Sequence, residues 1–513
     1  MIPTETTLSI SYQALLSALP QEPMFRHDPA EPNRGVDPIG WQVSPEPYWL
    51  SPEQQHYIDQ LGPTLAAFAL AIQRLYRYSL KNPGTHGWVS DLFEANKPEG
   101  LVKFSLMNRF KSQYPIVIRP DLLVTTPSPD KRQPGRNPGL SLCEIDAVPG
   151  GLGFTAALSM AYQTALEQAT GQPLSLWPEN TPATGMIARF IAALRSLTPD
   201  NPTPTIAIVV SDEAQDYLLE WRWLAKTAKA LGLYQALHVV HPSQLRLRDQ
   251  VLGFVDDDTD QPFQAIDLVY RFFELFDLPN ITNIELIELA TKKGWVTTTP
   301  PFKSFLEEKL VLALIHAPQL APFWTEQLGL EGYELLLDLV PQSWILDPSP
   351  IPPHAAVTPA MVFADTPFRT FEDLANLTQK QRRLVIKPSG FSPLAWGSRG
   401  VTIGHDVPQT EWQAALQAAM ADRPNTPHLL QRYDSPTSSP YRYFDPASHE
   451  VKTAEGRTRL CPYYILNGES VSVAGILATT CPKNKVIHGM LTASFVRLFT
   501  EPLAQLVKTL ALS

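Results

Sequence analysis

Glu144 and Asp146 stand two residues apart in LSLCEIDAVPGG (140–151), at the end of a run that otherwise reads as a buried strand. Side chains alternate along extended backbone, so both carboxylates point to one face, roughly 6–7 Å apart along the chain. Like charges held that way repel unless something cationic lies between them, and a hard divalent ion taken by carboxylate oxygens is the usual solution. Asp121, in YPIVIRPDLLV (114–124), adds a third carboxylate from the neighbouring strand of a proposed hairpin, and Arg119 shares its face. On this reading the strand ends because its tip holds a metal, and Gly150 and Gly151 let backbone approach a ligand. A wet strand end closed by a Pro-Gly-Gly turn accounts for the same residues.

A second constellation lies in LVIKPSGFSPLAWGSRGV (384–401), where an apolar strand delivers Lys387 to its end and a loop with Gly390, Gly397 and Gly400 follows. A strand-borne lysine beside a loop of backbone N–H groups can cradle phosphate. The G-x-x-x-x-G-K order of a P-loop is absent, and a solvated lysine before a surface loop is the plainer account. Lys309 sits among apolar residues in FLEEKLVLALI, where a salt bridge along a helix face also explains it. HLLQRYDSP brings Gln431, Arg432, Tyr433 and Asp434 to a strand end. Backbone there can meet an adenine edge and Asp434 a ribose hydroxyl, although simple entry into a loop needs no more than the same residues.

The elements that must hold these groups alternate in type. A helix is predicted over 65–80, a strand over 114–124 broken by Pro120, a returning strand over 139–148 and a helix over 153–171 ending at Gly171. From about residue 185 apolar runs in 202–213, ALHVVHPSQL and QAIDLVYRFF, with a helix over 214–232, predict a small parallel sheet. Beyond 300 follow a helix over 304–317, a Pro-rich junction at 347–353, a strand over 382–390, a helix over 410–423 and a strand over 427–434. RLCPYYILNGESVSVAGILATT (459–480) is predicted to turn back at Asn467-Gly468, since both residue types tolerate the positive φ of a type I′ turn. Residues 1 to about 55 are Pro-rich and read as irregular.

At 513 residues the chain exceeds the ~250–300 at which one core stops growing, so two or three domains are expected. The formal net charge is −10 with no block of like charges, which excludes an electrostatic footprint for nucleic acid or an anionic membrane. Cys143, Cys461 and Cys481 are sparse and lack metal-type spacing, which argues for a reducing compartment. MIPTETTLSISYQ has no basic segment leading an apolar one, and no apolar run reaches the ~18 residues of a membrane span. The expectation is a soluble cytoplasmic protein.

Taken in order, Arg119-x-Asp121, Glu144-x-Asp146, IDLVYRFF, EEKLVLALI, VIKPSG…GSRGV and LLQRYD resemble the circularly permuted ATP-grasp ligases of the glutathionylspermidine-synthase-like type, over roughly residues 115 to 490. In that group an R-x-D…E-x-N magnesium set precedes the two ATP lysines. The resemblance implies an α/β fold, ATP-grasp-like and circularly permuted, with a small Rossmann-like β/α domain. Residues 1–184 would carry the metal-binding hairpin, 185–300 the small β/α domain and 301–513 the nucleotide-binding region.

Carried over by position, the resemblance implies Asp121, Glu144 and Asp146 as magnesium ligands, with Asp146 where the family usually has Asn. Arg119 resembles the arginine at the reacting phosphate or acyl group, and Lys309 and Lys387 the nucleotide lysines. The loop through Ser389, Gly390, Gly397, Ser398 and Gly400 would cover the phosphates, with Gln431, Arg432 and Tyr433 at the adenine and Asp434 at the ribose. The family often has an arginine near the Ala478 position; Arg442, Arg457 or Arg459 is left to replace it, and Arg459 is taken as the catalytic one. The implied activity is ATP- and magnesium-dependent joining of a small-molecule carboxylate to an amine through an acylphosphate, forming an amide or peptide bond. Tyr463, Tyr464 and His488 are candidates for the acceptor pocket.

Two other readings stand beside it. Asp146 and Ala478 allow a catalytically inactive ATP-grasp-like protein that binds nucleotide or a partner. RPDLLV…LCEIDA also looks like the core of a PD-(D/E)-x-K magnesium-dependent nuclease, but Asp146 occupies the place of the required lysine.

Overall fold

Ser51 starts the first long element. Its side chain accepts from the Gln54 backbone N–H while the Gln54 side chain accepts from the Ser51 N–H, and Pro52 takes the first helical position. Helix α1 (Pro52–Lys81) thus begins well before the predicted 65–80, and its buried stripe of Ile58, Leu61, Leu65, Phe68, Ile72 and Leu75 faces the main core. Gly62 allows that approach, since a Cβ there would stand 2.6 Å from the Tyr464 ring. Helix α2 (Pro83–Glu94) follows directly. The computed structural model describes residues 12–20, 43–126, 137–171, 177–179, 181–255, 262–348, 362–363, 366–367, 370–395, 399–445, 450–481 and 494–495.

Strands β1 (Val117–Val124) and β2 (Leu140–Asp146) pair antiparallel, as the expected hairpin. Helix α3 (Leu152–Thr170) comes next, bracketed by Gly151 and Gly171, both with left-handed backbone (φ +86° and +66°) that a side chain would oppose.

A four-stranded sheet follows, built from β3 (Ile206–Val210), β4 (Leu237–Val240), β5 (Leu268–Phe272) and β6 (Thr297–Thr299), in the order β4-β3-β5-β6 and parallel throughout. Helix α4 (Leu218–Ala230) links β3 to β4. The central strands β3 and β5 are buried along their whole length, which is why they read as unbroken apolar runs. The helix predicted over 304–317 is replaced by a 3₁₀ turn at Ser304–Leu306 and a four-residue helix at Val311–Leu314. Glu307, Glu308 and Lys309 lie between them and pair with Arg271, Lys97 and Glu144 respectively. Three consecutive side chains drawn to three separate partners override the local helical preference.

The second four-stranded sheet is antiparallel. It runs β7 (Ser343–Ile345), β10 (His428–Arg432), β8 (Leu384–Pro388) and β9 (Thr402–Ile403), with helix α5 (Gln409–Ala421) burying Trp412, Leu416 and Met420 beside it.

The chain then returns to the hairpin. Strands β11 (Ser438–Asp445), β12 (Glu450–Asn467) and β13 (Ser470–Cys481) complete a six-stranded sheet in which β12 lies between β13 and β1, with β11 also against β12 and Ser494–Phe495 at the far edge. Pro120 does not break β1. The β1–β12 register holds on both sides of it, Ile118↔Tyr464 and Leu122↔Leu460, so the strand continues through the proline. The turn after β12 is Gly468-Glu469 and not Asn467-Gly468: Asn467 still pairs with Ser470, and only Gly468 has positive φ (+62°). Among the described residues no helix is long and apolar enough to cross a membrane.

Candidate active site

The six-stranded sheet has one apolar and one charged face in its middle. Ile118, Leu122, Leu142 and Leu460 enter the core, whereas Arg119, Asp121, Glu144, Asp146 and Arg459 lie on the other side, a bulge at Cys143 turning β2 between Leu142 and Glu144. Cross-strand register brings the charges together, with Arg119 opposite Asp146, Asp121 opposite Glu144 and Leu123 opposite Arg459.

Asp121 is the hub. Its carboxylate takes Arg459 Nη1 at 2.8 Å and Arg119 Nε at 3.2 Å, and accepts from the Cys461 thiol at 3.3 Å. Burial alone would raise this carboxyl, but Arg459 and Arg119 hold it below its ordinary value. Arg119 reaches further, to Asp146 Oδ2 at 3.0 Å and the Gly150 carbonyl at 2.9 Å. Tyr463 donates to that same carbonyl at 2.7 Å. Burial, opposed by Arg119 and assisted by Glu144, leaves the Asp146 carboxyl raised.

The two lysines from the distal part of the chain arrive on the same ground. Lys309 pairs with Glu144, and this contact outweighs burial to keep its ammonium raised above the ordinary value. Lys387, buried at the end of β8, donates to the Cys143 carbonyl at 3.0 Å and to Gln431 Oε1 at 2.8 Å; burial lowers its pKa. Ser389 bonds to Glu308 through its hydroxyl and accepts from Leu310 N–H at 2.9 Å. Gly390 (φ +40°) lies so close to Glu308 that a Cβ would overlap the carboxylate.

A small open cleft lies at the end of β2, lined by Glu144, Asp146, Lys309 and Gly390 together with Glu274 and Glu307. The last two were not singled out from sequence. The signal was there: Glu274 follows β5 at its C-terminal end, where ligands meet open α/β sheets. Glu274 is pushed well above the carboxylate range, first by burial and then by Glu307 and Asp146.

Other expected residues lie elsewhere or are committed differently. Gln431 orients Lys387 and donates to Ser343 at 3.0 Å, Arg432 turns outward to Asp434, and Tyr433 packs edge-on against His405. Asp434 also accepts from Ser141 at 3.0 Å, tying the end of β10 to the hairpin. Gly400 packs against Pro388. Arg442 forms a bidentate pair with Glu46, and Tyr464 donates to the Ile58 carbonyl in the core, away from the charged face. Gly397, Ser398 and His488 lie outside the described residues.

A magnesium ion needs several hard oxygen donors free to coordinate it. Among the described residues no three His, Cys, Asp or Glu side chains gather as a metal-binding group. Asp121 does not fit, because two guanidinium groups and a thiol already occupy its oxygens. Glu144 and Asp146 are hard oxygen donors on the cleft, each held by one cation, Lys309 and Arg119.

Among solved structures the chain is similar to a glutathione synthetase-like effector of Globodera pallida in its apo form, at 13% identity over 96% of this chain and 98% of that one, with a TM-score of 0.54. A candidate gamma-glutamylcysteine synthetase of Methylobacillus flagellatus aligns at 10% identity over 85% and 88%, with a TM-score of 0.37. No family model and no curated protein matches the chain. The likeness to the effector is one of fold, a mixed α/β architecture shared along nearly the whole of both chains.

Proposed function

We propose that this protein is an ATP-dependent carboxylate–amine ligase of the circularly permuted ATP-grasp type. One observation carries the reading. Lys309 and Lys387 meet the end of β2 at Glu144 and at the Cys143 carbonyl, across separations of 165 and 244 residues. The fold shared with a glutathione synthetase-like protein supports it. On this reading residues 185–300 are the small β/α domain, and 301–513 bind nucleotide against the hairpin of 1–184.

Lys309 and Lys387 would neutralise a triphosphate, whose oxygens take the place of Glu144 and the Cys143 carbonyl as their partners. A carboxylate oxygen of the acid attacks the γ-phosphorus and ADP departs. The amine nitrogen then attacks the acyl carbon, phosphate leaves with the broken C–O bond and the nitrogen gives up a proton. Arg119 and Arg459 stand beside one another to counter charge on the transferring group. Glu144 and Asp146 are the residues that would hold magnesium, which supplies further charge neutralisation when bound with the nucleotide. No step depends on Asp121 as a ligand.

Calorimetric titration with ATP and magnesium checks the reading: binding is expected in wild type and lost in Lys387→Met, with ADP released once a suitable acid and amine are supplied. A folded wild-type protein that takes up no ATP overturns it. The commitment of Asp121 to Arg119 and Arg459 favours a second reading, nucleotide binding without turnover. ATP binding with no ADP release across panels of acids and amines would select that one.

A further inference from the structure

Lys97 lies just beyond α2, more than 200 residues from either nucleotide lysine, yet its side chain is only 1% exposed. Its ammonium pairs with Glu308 Oε1 at 2.5 Å, and the Glu308 side chain is 2% exposed. The other oxygen, Oε2, accepts from the Ser389 hydroxyl, whose oxygen in turn accepts from Leu310 N–H at 2.9 Å. Gly390 presses its bare α-carbon against the same carboxylate, and Phe391 places its ring 5.8 Å from the Lys97 ammonium.

Burying such a pair is costly, and an apolar pair of similar volume is often as stable, so folding stability alone is a weak reason for it. What the pair does accomplish is geometric. Glu308 is the residue before Lys309, and Ser389 is two residues after Lys387. One carboxylate therefore stitches together the two segments that bring the lysines to the end of β2, and Lys97 supplies its counter-charge.

We propose that Lys97 is a positioning residue for the polyphosphate site, acting through Glu308 and Ser389 to hold the Lys309 and Lys387 segments at a fixed spacing. The inference rests on the nucleotide reading above. A spacing error of about 1 Å at such a site is enough to cost of the order of a hundredfold in function, so loosening this link weakens binding without any loss of a phosphate contact by Lys97 itself.

The test is ATP affinity, in the presence of magnesium, measured at a temperature where circular dichroism shows each variant folded. Lys97→Met and Ser389→Ala are each expected to weaken ATP binding about tenfold or more. The Lys97→Met/Ser389→Ala double variant is expected to be no weaker than the poorer single, because both cut the same chain. Additive losses overturn the inference, since they would mean that the two residues act separately. Should Lys97→Met fail to fold, Lys97→Met/Glu308→Gln takes its place, as it leaves no lone buried charge; wild-type affinity in that variant also overturns the inference. An absence of ATP binding by wild type removes the nucleotide reading itself, whereas wild-type binding that survives unchanged in Lys97→Met removes only the positioning role.

Discussion

Arg271 in the parallel sheet and Arg119 with Arg459 in the six-stranded sheet are all cations on strands, but their partners differ in kind. Arg271, 0% exposed, donates to the carbonyls of Phe273, Pro300 and Pro301 and pairs with Glu307 at 2.6 Å. Arg119 and Arg459 keep 15% and 16% of their side chains exposed and share the Asp121 carboxylate. Main-chain carbonyls are fixed by the strands and turns that carry them, so Arg271 clamps the end of β5 to the segment after β6. Side-chain carboxylates at a cleft can trade one cation for another. The first arrangement suits structure, and the second suits a site whose charges must be re-partnered when a ligand enters.

Arg271→Met is the most damaging test of that contrast. It strands Glu307 and three carbonyls, and the expected loss is about 3–5 kcal/mol in denaturant unfolding; a loss below about 1 kcal/mol would erase the distinction. Asp121→Asn should cost less, about 1–3 kcal/mol. Arg119 retains Asp146 and the Gly150 carbonyl after that change, so the loss falls on Arg459, whose carboxylate partner becomes a neutral amide oxygen at the edge of solvent. If Asp121→Asn proves worse than Arg271→Met, the cleft charges are a structural clamp after all.

Lys303 sharpens the comparison with a smaller effect. It is 1% exposed and donates to the Gln113 carbonyl and the Gln73 side chain, neutral acceptors that carry no charge to offset burial. Burial, and then Arg77, bring its pKa down to about 7. Unfolded, the same amine titrates near ~10.4. Between those values the unfolded chain holds a proton that the folded one lacks, so the contribution of Lys303 to stability rises with pH above about 7. Relative to Lys303→Met, wild type should gain up to about 1 kcal/mol from pH 7 to pH 8. Parallel pH profiles of the melting midpoint would show instead that the lysine is charged in the folded state.

The candidate site was partly legible because its strands follow simple alternation. Period two put Glu144 and Asp146 on one face, and Arg119 with Asp121 on the other strand of the hairpin. Lys387 at the end of an apolar run was equally plain. What could not be read was the commitment of Asp121 to Arg459, since nothing local to either residue distinguishes an ion-pair hub from a metal ligand. The 304–317 segment misled for the same reason: its composition favours helix, but Arg271, Lys97 and Glu144 pull three successive side chains apart. The Asn467-Gly468 turn was displaced by one residue because the long β12–β13 ladder, and not the turn, sets the register.

The sequence by itself determined the periodic elements: the hairpin and its charged face, the parallel sheet, and the glycine that ends α3. These depend on backbone geometry and side-chain direction over a few residues. Only the tertiary structure decided that Lys309 and Lys387 meet the end of β2, that Glu274 and Glu307 line the cleft beside Glu144, and that Lys97 pairs with Glu308 behind it. Such pairings arise from the packing of segments far apart in the chain, and local periodicity holds no record of which distant charge will fill a given place.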